Sequence, residues 1–307
     1  MRFLLKGLLC LIILYATVLL LRVFVAEVFW VPTASMKPNI EDKSYALVEK
    51  LSYGAVLPQS LDQIPWTNSL LFISRKFEEL LAKNRWSYKR ILACSKPING
   101  DVLVFHSIQD SSFLIKRCVG IPGDKLTVEN NIWYCNEEKY DYSNTIICDF
   151  VVRKDNKKLN DFFIKNNVLQ WSEYINGKSV NKVKLSGDKI KKLEQIDLLQ
   201  YLDLSHNKDI SISKTFQFNF KIPEKGDTIC LNNENYKFYS AFINRYEQKK
   251  IVKKDSNIFI SGEATDKFII ENDYYFMMGD NRSHSVDSRN FGLIPFQKII
   301  GKVFYTF

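Results

Sequence analysis

Residues 8–21 read "LLCLIILYATVLLL" and carry no charge, and a run of that kind decides where the rest of the chain can be. A helix needs about 20 apolar residues to cross a bilayer core, so the run alone falls short. Lys6 and Arg22 bracket it, and both side chains are long enough to lift their charge to the headgroups. Counting through them gives a span over residues 3–26 and an anchor segment of residues 1–28. Arg2 and Lys6 put positive charge ahead of the run, which keeps the N-terminus cytoplasmic and sends the body outward. A cleaved secretory signal shows the same order of charged and apolar residues. Against cleavage, no A-x-A site follows the run, and Arg22 and Glu27 interrupt the place where one would stand. No second stretch is long and apolar enough to span, so a single-pass chain with an external body is expected.

The chain has 307 residues, of which 46% are hydrophobic, enough for a packed core of one large or two modest domains. A formal charge of +9 admits a nucleic acid or an anionic membrane surface as partner. The lysines are scattered among Asn and Asp, as in "RKDNKKLND", with no Arg-rich block interleaved with aromatics. That pattern favours a solvated, membrane-side surface and no nucleic acid. Six cysteines occur without a C-x-x-C, which weakens zinc and redox readings. Cys135 and Cys148 are the most plausible disulfide by position, and free buried thiols are the plainer expectation.

Beyond the anchor the text turns to strands. "DKSYALVEKLSYG" and "GDVLVFHS" alternate apolar residues between turn signals. "SSFLIKRCVGIPGDKLTVENNIWYCN" reads as a strand, a Pro-Gly-Asp turn and a hairpin turning at Asn130 and Asn131. "GDTICLNN", "DKFIIENDYYFMMGD" and the C-terminal "FGLIPFQKIIGKVFYTF" supply more strands. Residues 70–90 predict an amphipathic helix with Leu71, Phe72, Phe77, Leu80 and Leu81 near one face. From Asp149 to about Phe220 the chain is rich in Lys, Asn and Asp, a peripheral insertion with a helix expected around "DKIKKLEQIDLLQYLDL". The body is mainly β.

Hydrolytic chemistry through a serine usually needs a histidine base and an orienting acid. His106 ends a strand, His206 lies in the Lys/Asn-rich insertion, and His284 lies in "GDNRSHSVDSRNFG". No G-x-S-x-G elbow occurs, so a histidine triad has little support. A neutral lysine is the other activator. Free lysine titrates near 10.4, so it needs apolar burial to lose its proton near pH 7 to 8. Such a lysine should look misplaced, and Lys116 does, in the middle of "FLIKRCVGIPG". Alternation puts Leu114, Lys116 and Cys118 on one face of that strand and Arg117 on the other. Most lysines in such strands point to solvent at an edge, which is the competing reading.

Four blocks, "PTASMKPNI", "GDVLVF", "IKRCVGIPGD" and "MGDNRSHSVDSRNFG", occur in the order of the sequence boxes of bacterial type I signal peptidases. The chain resembles that family over the anchor and over blocks spread from residue 27 to 295, and not over the Lys/Asn-rich middle. The resemblance implies a transmembrane helix, then an antiparallel β catalytic domain of residues 29–135 and 262–307, with a variable α/β insertion at 136–261. It implies Ser35 as nucleophile and Lys116 as general base of a Ser/Lys dyad. The Ser35 N–H and the Thr33 hydroxyl are then the oxyanion donors. The family usually has Ser where Thr33 stands and Gly where Ala34 stands; Thr keeps the hydroxyl, and Ala34 demands backbone angles open to any residue. Pro32 and Pro38 fix backbone angles on either side of the serine.

By the same resemblance Ser285 orients the Lys116 amine, Asp280 pairs with Arg117 and Arg289, and Asp287 fills another acidic position. His284 stands where the family often has Asn and takes no chemical role. Phe29, Val31, Met36, Ile40, Val104, Leu114 and Ile115 are implied around pockets for small residues one and three positions before the cut, where bulk is excluded sterically. An extended substrate would add as a strand beside "FLIK". Trp66, Leu70, Leu71 and Phe72 are candidates for lipid contact or for buried packing. The implied partners are exported preproteins and membrane lipid, with a monomer at the bacterial inner (cell) membrane, its catalytic body on the external or periplasmic side, and no cofactor or metal. Two other classes compete. A self-cleaving Ser/Lys protease of the repressor type would carry a DNA-binding headpiece in place of the anchor. A catalytically silent anchored scaffold would have no use for both Ser35 and Lys116.

Overall fold

Arg2–Phe24 forms one helix, α1, whose Leu- and Ile-rich surface is exposed along almost its whole length. The segment Phe3–Phe24 is long and apolar enough to cross a membrane, with a mean hydropathy of 2.5. Its last turn is tied to the body. The Lys50 amine donates to the Arg22 carbonyl at 2.9 Å and to Glu27 Oε2 at 2.8 Å, while Arg22 Nε donates to Glu27 Oε1 at 2.8 Å. The computed structural model describes residues 2–60, 64, 86–91, 93–107, 112–129, 132–139, 146–175, 178–205, 219–233, 235–247, 249–254 and 257–307. Residues 70–85 of the expected helix, the lipid candidates Trp66, Leu70, Leu71 and Phe72, His206 and the Asn130-Asn131 turn lie outside the described residues; the rest of that stretch is not helical, since residues 86–89 are irregular and Arg90–Ile91 pairs as a strand with Ala55–Val56.

The strands used below are β1 (Ala26–Val31), β2 (Ser44–Glu49), β3 (Val102–His106), β4 (Phe113–Gly120), β5 (Lys125–Glu129) and β6 (Ile132–Cys135). They continue with β7 (Ile147–Val152), β8 (Leu169–Ile175), β9 (Lys178–Ser186), β10 (Leu202–Leu204), β11 (Tyr274–Met278), β12 (Ile294–Pro295) and β13 (Ile299–Thr306). Seven of them form one antiparallel sheet in the order β1-β2-β13-β3-β4-β11-β12. The mainly β expectation therefore holds. Alternating side chains split the core between the two faces. Phe29, Val31, Met36, Ile40, Val104, Ile115 and Ile300 pack on one side, and Tyr53, Leu103, Phe105, Cys118, Tyr275, Met277 and Ile299 on the other. β11 is buried on both faces, and its Tyr274, Phe276 and Met278 join a third cluster that runs into residues 146–268.

β11 pairs with β4 only from Arg117 to Gly120, whereas β3 pairs with β4 from Phe113 to Arg117. Residues 113–116 thus have a strand neighbour on one side alone among the described residues. That half-open edge is where the site is built.

The expected hairpin is present, with Glu129 of β5 opposite Ile132 of β6. A second antiparallel sheet, β8-β9-β7-β10, occupies the Lys/Asn-rich stretch. The helices α2 (Lys157–Lys165) and α3 (Gly187–Gln195) bury Leu159, Phe163, Ile190 and Leu193 in the third cluster. The helix expected across residues 188–204 stops early. Asp197 takes a left-handed backbone (φ 56) just after α3, and residues 202–204 then pair with β7 as a strand. Tertiary pairing wins over helical propensity there. No disulfide joins Cys135 to Cys148: all six cysteines are free, with Cys118 and Cys148 buried, Cys135 half-buried, and Cys10, Cys94 and Cys230 exposed.

Candidate active site

Ser35 sits in the middle of a 3-10 turn, Ala34–Met36, that follows β1. Thr33 enters the turn with extended backbone (φ −126, ψ 153), as a residue ahead of a helical turn should. Ala34 lies within the turn's right-handed backbone, so glycine is not required at that position. Met36 is a peg: it is fully buried in the cluster with Phe29, Val31 and Val104, and it holds the turn against the sheet. The chain leaves through a cis Lys37–Pro38 bond, with the Ile40 N–H donating to the Met36 carbonyl at 3.0 Å.

Lys116 comes from β4, opposite Leu103 of β3, at the edge that β11 leaves uncovered. Its Nζ lies 2.6 Å from Ser35 Oγ and donates to the Ile115 carbonyl at 3.0 Å. Lys116 is 3% exposed and Ser35 7%, so neither group is bathed in bulk water. Burial strips water from the ammonium and pushes its pKa down to about 8, with Arg289 pushing the same way and Asp287 and Asp280 opposing. The misplaced charge of the sequence is thus a nearly dry amine against one hydroxyl. Such an amine is a general base near neutral pH.

The third part is the loop of residues 279–291. Asp280 accepts from Arg117 Nε and Nη2 at 2.8 and 2.6 Å, and from Asn39 Nδ2 at 2.7 Å. Arg289, expected on the same carboxylate, makes its ion pair with Asp287. It donates through Nε and Nη2 to Asp287, both at 2.8 Å, and through Nη2 to the Arg282 carbonyl at 2.6 Å. The reason is local: Asp287 caps the short helix α5 (Ser288–Phe291), so its carboxylate already faces the first turn on which Arg289 stands. Burial works against the Asp287 anion, and the Arg289 guanidinium overrides it, holding the group below the usual carboxylate range.

Ser285 is not bonded to the Lys116 amine. Its buried hydroxyl packs over Gly279, and Lys116 spends its contacts on Ser35 and the Ile115 carbonyl. The Thr33 hydroxyl lies 3.4 Å from Ser35 Oγ. Six of the seven expected pocket residues, Phe29, Val31, Met36, Ile40, Val104 and Ile115, share one apolar cluster beside the turn. Leu114 does not join them. It packs with the cluster on the opposite face, as its even position on β4 requires.

Asn281 is a contributor that the sequence did not disclose. Its N–H donates to the Ser35 carbonyl at 3.0 Å and its side-chain amide to the Ala34 carbonyl at 3.1 Å, so it fastens the Ser35 turn. Between Asp280 and Arg282 in a polar loop, an asparagine reads as ordinary turn text; only its place directly after a buried strand hints at more.

Comparison with known proteins places the chain in a family. A signal peptidase I of Buchnera aphidicola subsp. Schizaphis graminum is 28% identical over 93% of this chain and 69% of its own length. One from the Baizongia pistaciae subspecies is 25% identical over 94% and 71%. A crystal structure of a signal peptidase I from Enterococcus faecalis matches 68% of this chain and 98% of its own, with 16% identity and a TM-score of 0.27. The family model for signal peptidase, peptidase S26, matches residues 4–219 and 220–307, nearly the whole sequence, and on that ground the chain belongs to this family of serine endopeptidases.

Proposed function

We propose that this chain is a membrane-anchored endopeptidase that removes signal peptides from exported preproteins with a Ser35/Lys116 dyad, cutting after small residues. The observation that carries the mechanism is the 2.6 Å approach of a buried lysine amine to a buried serine hydroxyl. In the first step neutral Lys116 takes the Ser35 proton as Oγ bonds to the scissile carbonyl carbon. The Ser35 N–H and the Thr33 hydroxyl are assigned to the oxyanion that forms. The ammonium then gives its proton to the leaving amine, and water, deprotonated by Lys116, hydrolyses the ester left on Ser35. Asp280 with Arg117, and Asp287 with Arg289, hold the loop behind the dyad and do not touch the reacting atoms. Ser285 is assigned to packing that loop against the Ser35 turn.

The open edge of residues 113–116 supports substrate entry as an added strand, and the Phe29, Val31, Met36, Ile40, Val104 and Ile115 cluster supports a steric choice of small side chains. α1 is assigned as a single-pass anchor in the bacterial inner membrane with its N-terminus cytoplasmic, on the charge of Arg2 and Lys6. An exposed aromatic row supports lipid contact by the body: Trp30 on Tyr45 at 4.9 Å and Tyr45 on Phe307 at 5.8 Å. Residues 29–135 with 262–307 are assigned as the catalytic domain and 136–261 as an insertion, acting as a monomer without nucleic acid.

The test is to incubate the detergent-solubilised chain with a labelled preprotein and sequence the new N-terminus. Cleavage after Ala is expected. Replacing that Ala by Phe should lower the rate at least about tenfold, since a packed apolar pocket has no room for the ring. Unchanged cleavage of the Phe substrate would refute the steric pocket.

A further inference from the structure

His284 is half-exposed, at the end of the loop that carries Asn281, and the reaction as described does not use it. Its Nδ1 lies 3.3 Å from Asn281 Oδ1 and 3.5 Å from Asp149 Oδ2. Asp149 belongs to β7, in the Lys/Asn-rich stretch that the four sequence blocks leave out, and it is buried. β7 is stitched to the same loop by its backbone. The Ile147 N–H donates to the Asp280 carbonyl at 3.0 Å, and the Asp149 N–H to Ser283 Oγ at 2.8 Å. Around the carboxylate, Lys184 Nζ approaches Oδ1 at 3.8 Å, so the ion group is Asp149, Lys184 and the imidazole.

We propose that His284 is a positioning residue for the nucleophile: anchored on Asp149, it fixes the side chain of Asn281, which in turn fixes the carbonyls of Ala34 and Ser35. The inference rests on Ser35 being the nucleophile. An asparagine amide can face either way, and the hydrogen bonds of its two ends select the orientation. With a proton on His284 Nδ1, Asn281 Oδ1 accepts from the ring and Nδ2 is left to donate to the Ala34 carbonyl. Both the cationic ring and its Nδ1–H tautomer carry that proton, so the device does not depend on titration of His284. The variable middle of the chain thereby becomes a fixed support for the catalytic turn.

The experiment is a double-mutant cycle on the full chain in detergent, with a quenched fluorescent peptide bearing Ala one and three positions before the cut. His284→Ala should lower kcat by about 5- to 20-fold, the scale of a small misplacement of a reacting atom. KM should stay within about twofold and the midpoint of the pH–rate profile should not move, because Lys116 remains buried. His284→Asn, whose amide N–H stands near the place of Nδ1, should restore most of the rate. Asn281→Ala should lose at least as much as His284→Ala, and the double variant should lose no more than Asn281→Ala alone. Additive losses, a shifted pH midpoint, a loss confined to KM, or full activity of His284→Ala would each overturn the proposal. Ser35→Ala in the same assay separates the two readings: an active Ser35→Ala refutes the dyad, whereas a dead one beside a fully active His284→Ala refutes the positioning role alone. The imidazole is 54% exposed, so its removal leaves the fold intact, and equal melting temperatures check this.

Discussion

Lys116→Met is expected to abolish preprotein cleavage, a loss of at least about 1000-fold, and to make the protein more stable at pH 7. General base assistance is worth about 10² to 10⁴ in rate, and a thioether cannot take a proton from Ser35. Ser35→Ala should lose as much. The gain in stability has a separate origin. A lysine whose pKa falls from 10.5 to about 8 on folding has had its cation buried at a cost of roughly 3 kcal/mol. The folded pKa is depressed, so between about pH 8 and 10.5 the unfolded chain holds a proton that the folded chain has lost, and stability rises with pH across that window. Below about pH 8 both states are protonated and the whole cost is present. Methionine fills a similar volume without the charge, and it strands no charged partner, because Asp287 is already matched by Arg289 and Asp280 by Arg117. Lys116→Met should therefore melt several degrees above the parent at pH 7, and the difference should vanish by about pH 10.5. The parent's kcat should rise through pH 8 as the amine loses its proton. Retained cleavage in Lys116→Met, or a lower melting temperature at pH 7, would sink the dry-amine mechanism.

Much of the proposed site could be read from residue order because its two proposed reacting groups announce themselves. A lysine inside "FLIKRCV" conflicts with the strand around it, and a local conflict of that kind marks function more often than accident. Alternation along β4 put Leu114 with Cys118, away from the apolar cluster of Ile115 that it was expected to join. Charge pairing was legible for Asp280 with Arg117 and not for Asp287 with Arg289. Two arginines and two aspartates were in view, yet which pairs with which depends on the capping of a four-residue helix by Asp287, a matter of a few ångströms. Least legible was the link between β7 and the catalytic loop. Asp149 lies more than a hundred residues before Ser283 and His284 and meets them only because a sheet of Lys- and Asn-rich text folds back onto the end of β11. Polar text reports exposure well and long-range pairing poorly, since it carries no hydrophobic register to fix the partner strand.

Gly279→Ala should cost at least about 100-fold in kcat, although the position shows no sign of needing glycine for its backbone. Its φ is not in the left-handed region, so a side chain there meets no torsional penalty. The obstacle is space. A Cβ would stand 2.2 Å from Ser285 Oγ, 2.5 Å from the Ser35 carbonyl oxygen and 2.6 Å from Ser285 Cβ. Rotating the Ser285 hydroxyl could relieve the first contact only. The second is main chain of the nucleophile turn itself, which must retreat, and Asn281 N–H and the Met36 peg resist the retreat. Moving Ser35 by even 1 Å would break its 2.6 Å approach to Lys116, and misplacements of that size cost about 100-fold. Overpacking should also lower stability by about 1–3 kcal/mol, read as a fall in melting temperature. KM should change less than kcat, since the pocket cluster lies on the sheet and the strain falls on the turn. Gly7→Ala, whose Cβ meets nothing within 4 Å, is the matched control and should behave as the parent. If Gly279→Ala kept the parent's kcat, the Ser35 turn would not be gripped by the loop beneath it, and the close approach of these two segments would have no part in catalysis.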